Sequence, residues 1–150
     1  MASCANAYKP FDEGNGDVPT ATGNPATDLT DATYTGDLNL VSYDPPDMKD
    51  TFDNPLTGFT LQIAGNKIVN AGAYEGLLNV QILKTASGEY NANGKSNSEG
   101  INAEEYIKFT VSGDDVEILE WTAYISSEEG GISYTHTYKG TLTKDASAGS

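Results

Sequence analysis

Apolar and polar residues alternate along this chain in a series of short runs from residue 31 onward, and the period of two predicts strands with one face turned to a core. In residues 31–43, Tyr34, Gly36, Leu38 and Leu40 fall on one face and Thr33, Thr35, Asp37 and Asn39 on the other. Residues 56–64, with Phe59, Leu61 and Ile63 inward, and residues 67–71 flank Gly65-Asn66, a pair that tolerates positive φ and so predicts a hairpin. Residues 73–85 are the longest apolar run and read as one strand, with Tyr74, Gly76, Leu78, Val80 and Ile82 sharing a face. Residues 87–100 are rich in Ser, Asn and Gly, which predicts a short strand at 89–92 and then a long loop. Residues 104–112 (Ile107, Phe109 and Val111 inward), 116–126 (Leu119, Trp121, Ala123 and Ile125 inward, Ile118 outward) and 132–144 complete the set. The pattern predicts an all-β domain of about eight antiparallel strands, with no helix longer than a turn or two.

One motif recurs within these runs. Tyr-x-Gly-x-Leu occurs as Tyr34-Thr-Gly36-Asp-Leu38, Tyr74-Glu-Gly76-Leu-Leu78 and Tyr138-Lys-Gly140-Thr-Leu142. Glycine weakens a strand interior unless the strand must coil sharply or admit a close backbone approach, and a neighbouring Tyr can lie over the bare position. Its presence in the first, a middle and the last strand predicts a curved sheet whose ends meet, a single antiparallel barrel or barrel-like sandwich over residues 31–144. Residues 1–30 lack periodicity and carry Pro10, Pro19 and Pro25, so they read as a flexible tether or docking arm; residues 145–150 read as a frayed tail. Within the arm, Tyr8 and Phe11 flank Pro10 and suit docking onto a sheet edge of this chain or a neighbour.

Charge removes several function classes. The chain has 22 acidic and 8 basic residues, a net of −14, and every basic residue is Lys. Without Arg there is no bidentate reader of phosphate or guanine, and the overall field repels polyanions, so nucleic acid and anionic membrane surfaces are not expected partners. Asp44, Asp47, Asp50 and Asp53 recur at a spacing of three. They form either a solvated acidic loop or an all-oxygen calcium site, and calcium is the only cofactor the sequence suggests; none is required. One cysteine excludes an internal disulfide or thiolate zinc cluster. Cys4, after Ala2 and Ser3, either ends a lipobox and carries a lipid anchor or is a stray thiol on the arm.

Catalysis finds little support. The only histidine, His136, lies inward between Tyr134 and Tyr138, where it reads as a core imidazole or as a polar contact for a ligand shared with Tyr134, Tyr138 and Tyr34. Paired carboxylates are too abundant to single out an acid–base pair. No enzymatic activity is expected.

The runs Thr33-Tyr34-Thr35-Gly36-Asp37-Leu38 and Thr137-Tyr138-Lys139-Gly140-Thr141-Leu142, with the hairpin-by-hairpin layout, resemble the calycin-like, lipocalin-related barrels found as small secreted lipoproteins of Bacteroidota type. The Gly-x-Trp signature of true lipocalins is absent near the first strand, and Trp121 lies late in the chain. The resemblance implies a lipid-anchored, extracytoplasmic binding or accessory protein of the cell surface or periplasm, whose ligand is a small molecule, a glycan or a protein. The alternative expectation is a structural subunit of a surface filament or phage particle that self-associates through its arm.

Overall fold

The computed structural model describes residues 18–44, 46, 52–72, 76–127 and 133–145. Ten strands follow in chain order: β1 (Asn24–Pro25), β2 (Ala32–Asp44), β3 (Leu56–Ala64), β4 (Lys67–Ala71), β5 (Val80–Gln81), β6 (Leu83–Lys84), β7 (Tyr90–Ser98), β8 (Ile101–Ser112), β9 (Asp115–Ser127) and β10 (Ser133–Lys144). They form one antiparallel sheet in the order β1-β6-β7-β8-β9-β10-β2-β3-β4-β5. Both ends of that order reach the same segment, residues 80–84. Its first half pairs with β4 and its second half with β7, with only Ile82 between. The sheet therefore wraps almost fully round into a barrel. The expected strand count of about eight becomes ten because this bent strand divides into β5 and β6, and because β1 adds a short pairing outside β6.

Alternation placed most of the core correctly. Tyr34, Leu38, Phe59, Leu61, Ile63, Ile107, Phe109 and Leu142 are buried in one contiguous cluster, with Trp121 as the largest fully buried side chain. Gly65 and Asn66 both take positive φ, +62° and +61°, and join β3 to β4 as their residue types predict.

Three expectations need correction. Residues 73–85 are not one strand: residues 76–79 turn, and only 80–84 are extended. Leu77 is fully buried and Leu78 is 43% exposed, the reverse of a continuous alternation. The Ser- and Asn-rich stretch after residue 92 is not a loop, since β7 continues to Ser98 and pairs residue by residue with β8. Composition misled because a hydrogen-bonded ladder uses backbone groups that Ser and Asn possess as fully as Val. In β9 the register slips at Leu119 and Glu120, so Phe109 faces Ile118 while Lys108 faces Glu120. This bulge turns Ile118, and not Leu119, into the core, because one extra residue exchanges the two faces of everything before it.

The Tyr-x-Gly-x-Leu copies at the start and end of the barrel meet each other. Leu142 pairs with Gly36 and Leu38 with Gly140, so each copy's leucine lies beside the other's glycine; the expected tyrosine cover is supplied by leucine. The middle copy includes Tyr74, which lies outside the described residues.

Residues 18–30, read from composition as part of the arm, touch the barrel wall. The Ala21 and Thr22 N–H groups donate to Asn93 and Asn91 Oδ1, at 2.9 and 3.0 Å, and Ala26 is buried. Tyr106 donates to the same Asn91 oxygen at 3.1 Å, which ties the outer face of β8 into this contact.

Candidate functional site in the barrel interior

Polar side chains reach the apolar interior chiefly in one place, on β8 and β10. Glu105 precedes Ile107 and Phe109 by the strand period and so points inward with them; it is fully buried. On its rung it pairs with Gly94 of β7 and Ala123 of β9, and Ala123 pairs in turn with His136 of β10. Glu105 is thus flanked by two residues with almost no side chain. The space beside it is occupied by backbone from the turn after β4: Gly76 N–H donates to Glu105 Oε2 at 2.8 Å. The approach is so close that a Cβ on Gly76 would sit 2.8 Å from that oxygen, and a Cβ on Gly94 would sit 2.3 Å from the Gly76 carbonyl. The other carboxylate oxygen, Oε1, accepts the Trp121 indole N–H at 2.9 Å.

Trp121 connects the carboxylate to an aromatic box. Its ring lies 4.8 Å from Phe59, 5.1 Å from His136 and 5.7 Å from Tyr138, centroid to centroid. His136 is almost fully buried, with Phe52, Tyr138 and Tyr134 rings at 5.1, 5.0 and 6.4 Å. Phe52 comes from the segment before β3 and is half-buried, packing also on Tyr134 at 5.3 Å and Tyr43 at 6.3 Å. Tyr138 fixes that segment, its hydroxyl donating to the Asp53 carbonyl at 2.7 Å. Phe52 therefore covers the imidazole from outside the strand ladder.

Burial sets the charge state of both polar groups. Desolvation pushes the Glu105 carboxyl up to about 7, opposed in part by the two N–H bonds it accepts. Desolvation likewise lowers His136 to about 4, partly offset by a backbone hydrogen bond, so the imidazole is neutral at pH 7. The two groups have opposite effects on stability. The raised carboxyl stabilises the fold below pH 4.5, and that contribution is lost as pH rises through 7. The depressed imidazole contributes stability above pH 6.5 that is lost as pH falls through 4. Each is worth about 3 kcal/mol, and over the shared window they nearly cancel. Urea unfolding of Glu105→Gln should accordingly show stability falling as pH drops from 6.5 to 4, and His136→Phe should show it falling as pH rises from 4.5 to 7. Parallel curves for wild type and both variants would contradict this assignment.

The structure brings Tyr134, His136 and Tyr138 together as the alternation of β10 requires, but not Tyr34. Tyr34 pairs with Leu61 and Lys144, whereas His136 pairs with Tyr43, nine residues along β2 and roughly 30 Å away at strand rise. Of the acidic series, Asp44 ends β2 opposite Thr135, and Asp53 takes part through its carbonyl; Asp47 and Asp50 lie outside the described residues. Among the described residues no group of three or more His, Cys, Asp or Glu side chains could hold a metal ion. Cys4, Tyr8 and Phe11 also lie outside the described residues.

Sequence reading missed Glu105 and Phe52. Glu105 was accessible, since extending the inward series Val111, Phe109, Ile107 by one more step lands on it. Phe52 carries no periodic signal, because it sits in an irregular segment among acidic residues. Comparison with family models, curated proteins and solved structures finds no match, so the interior geometry itself carries the functional reading.

Proposed function

We propose that this chain is a non-catalytic binding protein whose barrel interior takes a small molecule with an aromatic or apolar body. The observation that supports this most is the cover over His136: a half-buried phenyl ring, Phe52, supplied by an irregular segment and set edge-to-face against a neutral imidazole inside a box of aromatic rings. Ligand sites are mostly apolar and aromatic with a few fixed polar groups, and the Trp121–Glu105–His136 arrangement has that composition. A ligand ring would take the place of the Phe52 ring, after the segment swings outward. Lipid anchoring through Cys4 and an extracytoplasmic location belong to the same proposal and rest on the Ala2-Ser3-Cys4 context.

The test uses the single Trp, whose indole N–H gives one isolated proton–nitrogen NMR signal. Benzamide, an uncharged aromatic probe, should shift that signal with a Kd of about 1 mM, the affinity a fragment of this size reaches. Phe52→Ala, which empties a phenyl-sized volume, should bind it about tenfold tighter. Absence of any shift in both proteins would end the proposal. Phe52→Ala should also lose about 2 kcal/mol of stability, below the cost of a fully buried ring because Phe52 is half-exposed.

A second reading, a structural subunit of a filament or particle that assembles through its arm, draws on the hydrogen bonds of Ala21 and Thr22 along the outside of β7. Light scattering after size exclusion, in calcium-containing buffer, separates the two. A monomer near 15.9 kDa counts against assembly, and a large species dissociated by deleting residues 1–17 supports it.

A further inference from the structure

Glu105 is a carboxylate without an internal countercharge. Every described lysine keeps part of its surface in water, and the titratable side chains that share the inner surface near Glu105 are His136, held neutral, and Tyr138, whose hydroxyl is committed to Asp53. Its two hydrogen-bond donors differ in kind. The Trp121 N–H is fixed within the β9 ladder. The Gly76 N–H comes from the turn 76–79, which lies outside the strand ladders, in the part of the wall where β7 beyond Asn91 has no strand partner on its β6 side among the described residues. That turn is held by the buried Leu77 and by the Asn79 N–H donating to the Val69 carbonyl of β4 at 3.3 Å. Breaking the Gly76 contact therefore leaves every described ladder intact. Beside the carboxylate, the volume over Gly94 is filled by the Gly76 carbonyl and the Val80 side chain, so a ligand gains its space there only by displacing the Gly76 backbone, while the ring of Trp121 forms a wall continuous with His136 and Tyr138.

We propose that the barrel interior binds an organic cation, whose N–H group replaces Gly76 on Glu105 and whose hydrocarbon body lies against the rings of Trp121, His136 and Tyr138. This rests on the reading of the interior as a ligand site and specifies its ligand class. A buried carboxylate beside aromatic faces suits a cation twice over, by a charge-assisted hydrogen bond and by attraction to the ring faces. The net charge of −14 raises the local concentration of cations and excludes anions from the approach. Binding favours the ionised carboxylate, so a proton leaves Glu105 as the cation arrives, and affinity should rise with pH up to about 7.

Benzamidine and benzamide have nearly the same shape and differ in charge, which makes them the probes. Both are titrated into the full chain and into Phe52→Ala, at pH 6 and pH 8, following the indole N–H signal of Trp121. Benzamidine should bind at least about tenfold tighter than benzamide at pH 8, and its affinity should fall about tenfold at pH 6 while that of benzamide stays constant. Glu105→Gln should remove the preference for the cation. Should that variant fail to fold, the pH dependence in the parent chain carries the test alone. Equal binding of the two probes, or benzamidine affinity independent of pH, overturns the cation assignment and leaves the interior site standing. No binding of either probe to either protein overturns both.

Discussion

Alanine at Gly36 is expected to cost this fold about 3 kcal/mol, the upper end of what overpacking costs. The reason lies in the meeting of the first and last motif copies. A Cβ at Gly36 would stand 2.4 Å from the Thr141 carbonyl oxygen and 3.0 Å from the Leu142 Cα. Those are backbone atoms, so relief requires the β2–β10 ladder to move. That ladder joins the first long strand to the last, and its displacement is felt round the wall. Gly140 is the counterpart, with a Cβ 2.5 Å from the Asp37 carbonyl. Urea unfolding of Gly36→Ala against Thr35→Ala, an exposed neighbour, measures the effect; the control should change stability by less than about 0.5 kcal/mol. Shortening Leu142 in the Gly36→Ala background should restore nothing, since its side chain is not the nearest obstacle. A stability for Gly36→Ala equal to the control's would mean that the two strands do not approach as described.

Removing Trp121 should be as damaging for a different reason. Trp121→Ala empties a large volume among Phe59, His136 and Tyr138, at about 3–5 kcal/mol. It also deprives buried Glu105 of a donor, at about 1–3 kcal/mol more. The two contributions separate with Trp121→Phe, which keeps an aromatic ring and deletes the N–H. Its cost should be larger at pH 8 than at pH 5, because an ionised carboxylate loses more than a neutral acid when a donor disappears. Equal costs at the two pH values would show that the indole N–H does not serve the carboxylate.

These two positions illustrate how far the sequence reveals the structure. Two of the three Tyr-x-Gly-x-Leu copies marked the strands that join first to last, because a glycine in a strand has few uses other than close approach or coiling; Gly76 and Leu78 of the middle copy lie in a turn and not in the expected middle strand. Which side chain lies over each glycine was not legible, since that depends on cross-strand register. Register itself was obscured wherever a bulge intervenes, and one at Leu119 and Glu120 sufficed to exchange Ile118 and Leu119 between core and outer face. The apolar run through Leu77 and Leu78 looked like a strand because both turn and strand can bury a leucine, and only the fold decides which one is buried. His136 and its tyrosine neighbours were evident from alternation in the last strand. Tyr34, expected to share a ligand with them, is separated by most of the length of β2. Phe52 reaches His136 through an irregular segment, and irregular segments have no period from which direction can be read.

The central claim is that a carboxyl group is held dry in the barrel by Gly76 and Trp121. The most direct measurement is the pH titration of the Glu105 side-chain carboxyl carbon by NMR in the full chain. A midpoint near pH 7, accompanied by movement of the Trp121 indole N–H and Gly76 amide signals at the same pH, is the expected result. A midpoint near 4.5, with both N–H signals indifferent to it, would place Glu105 in water and contradict the interior site.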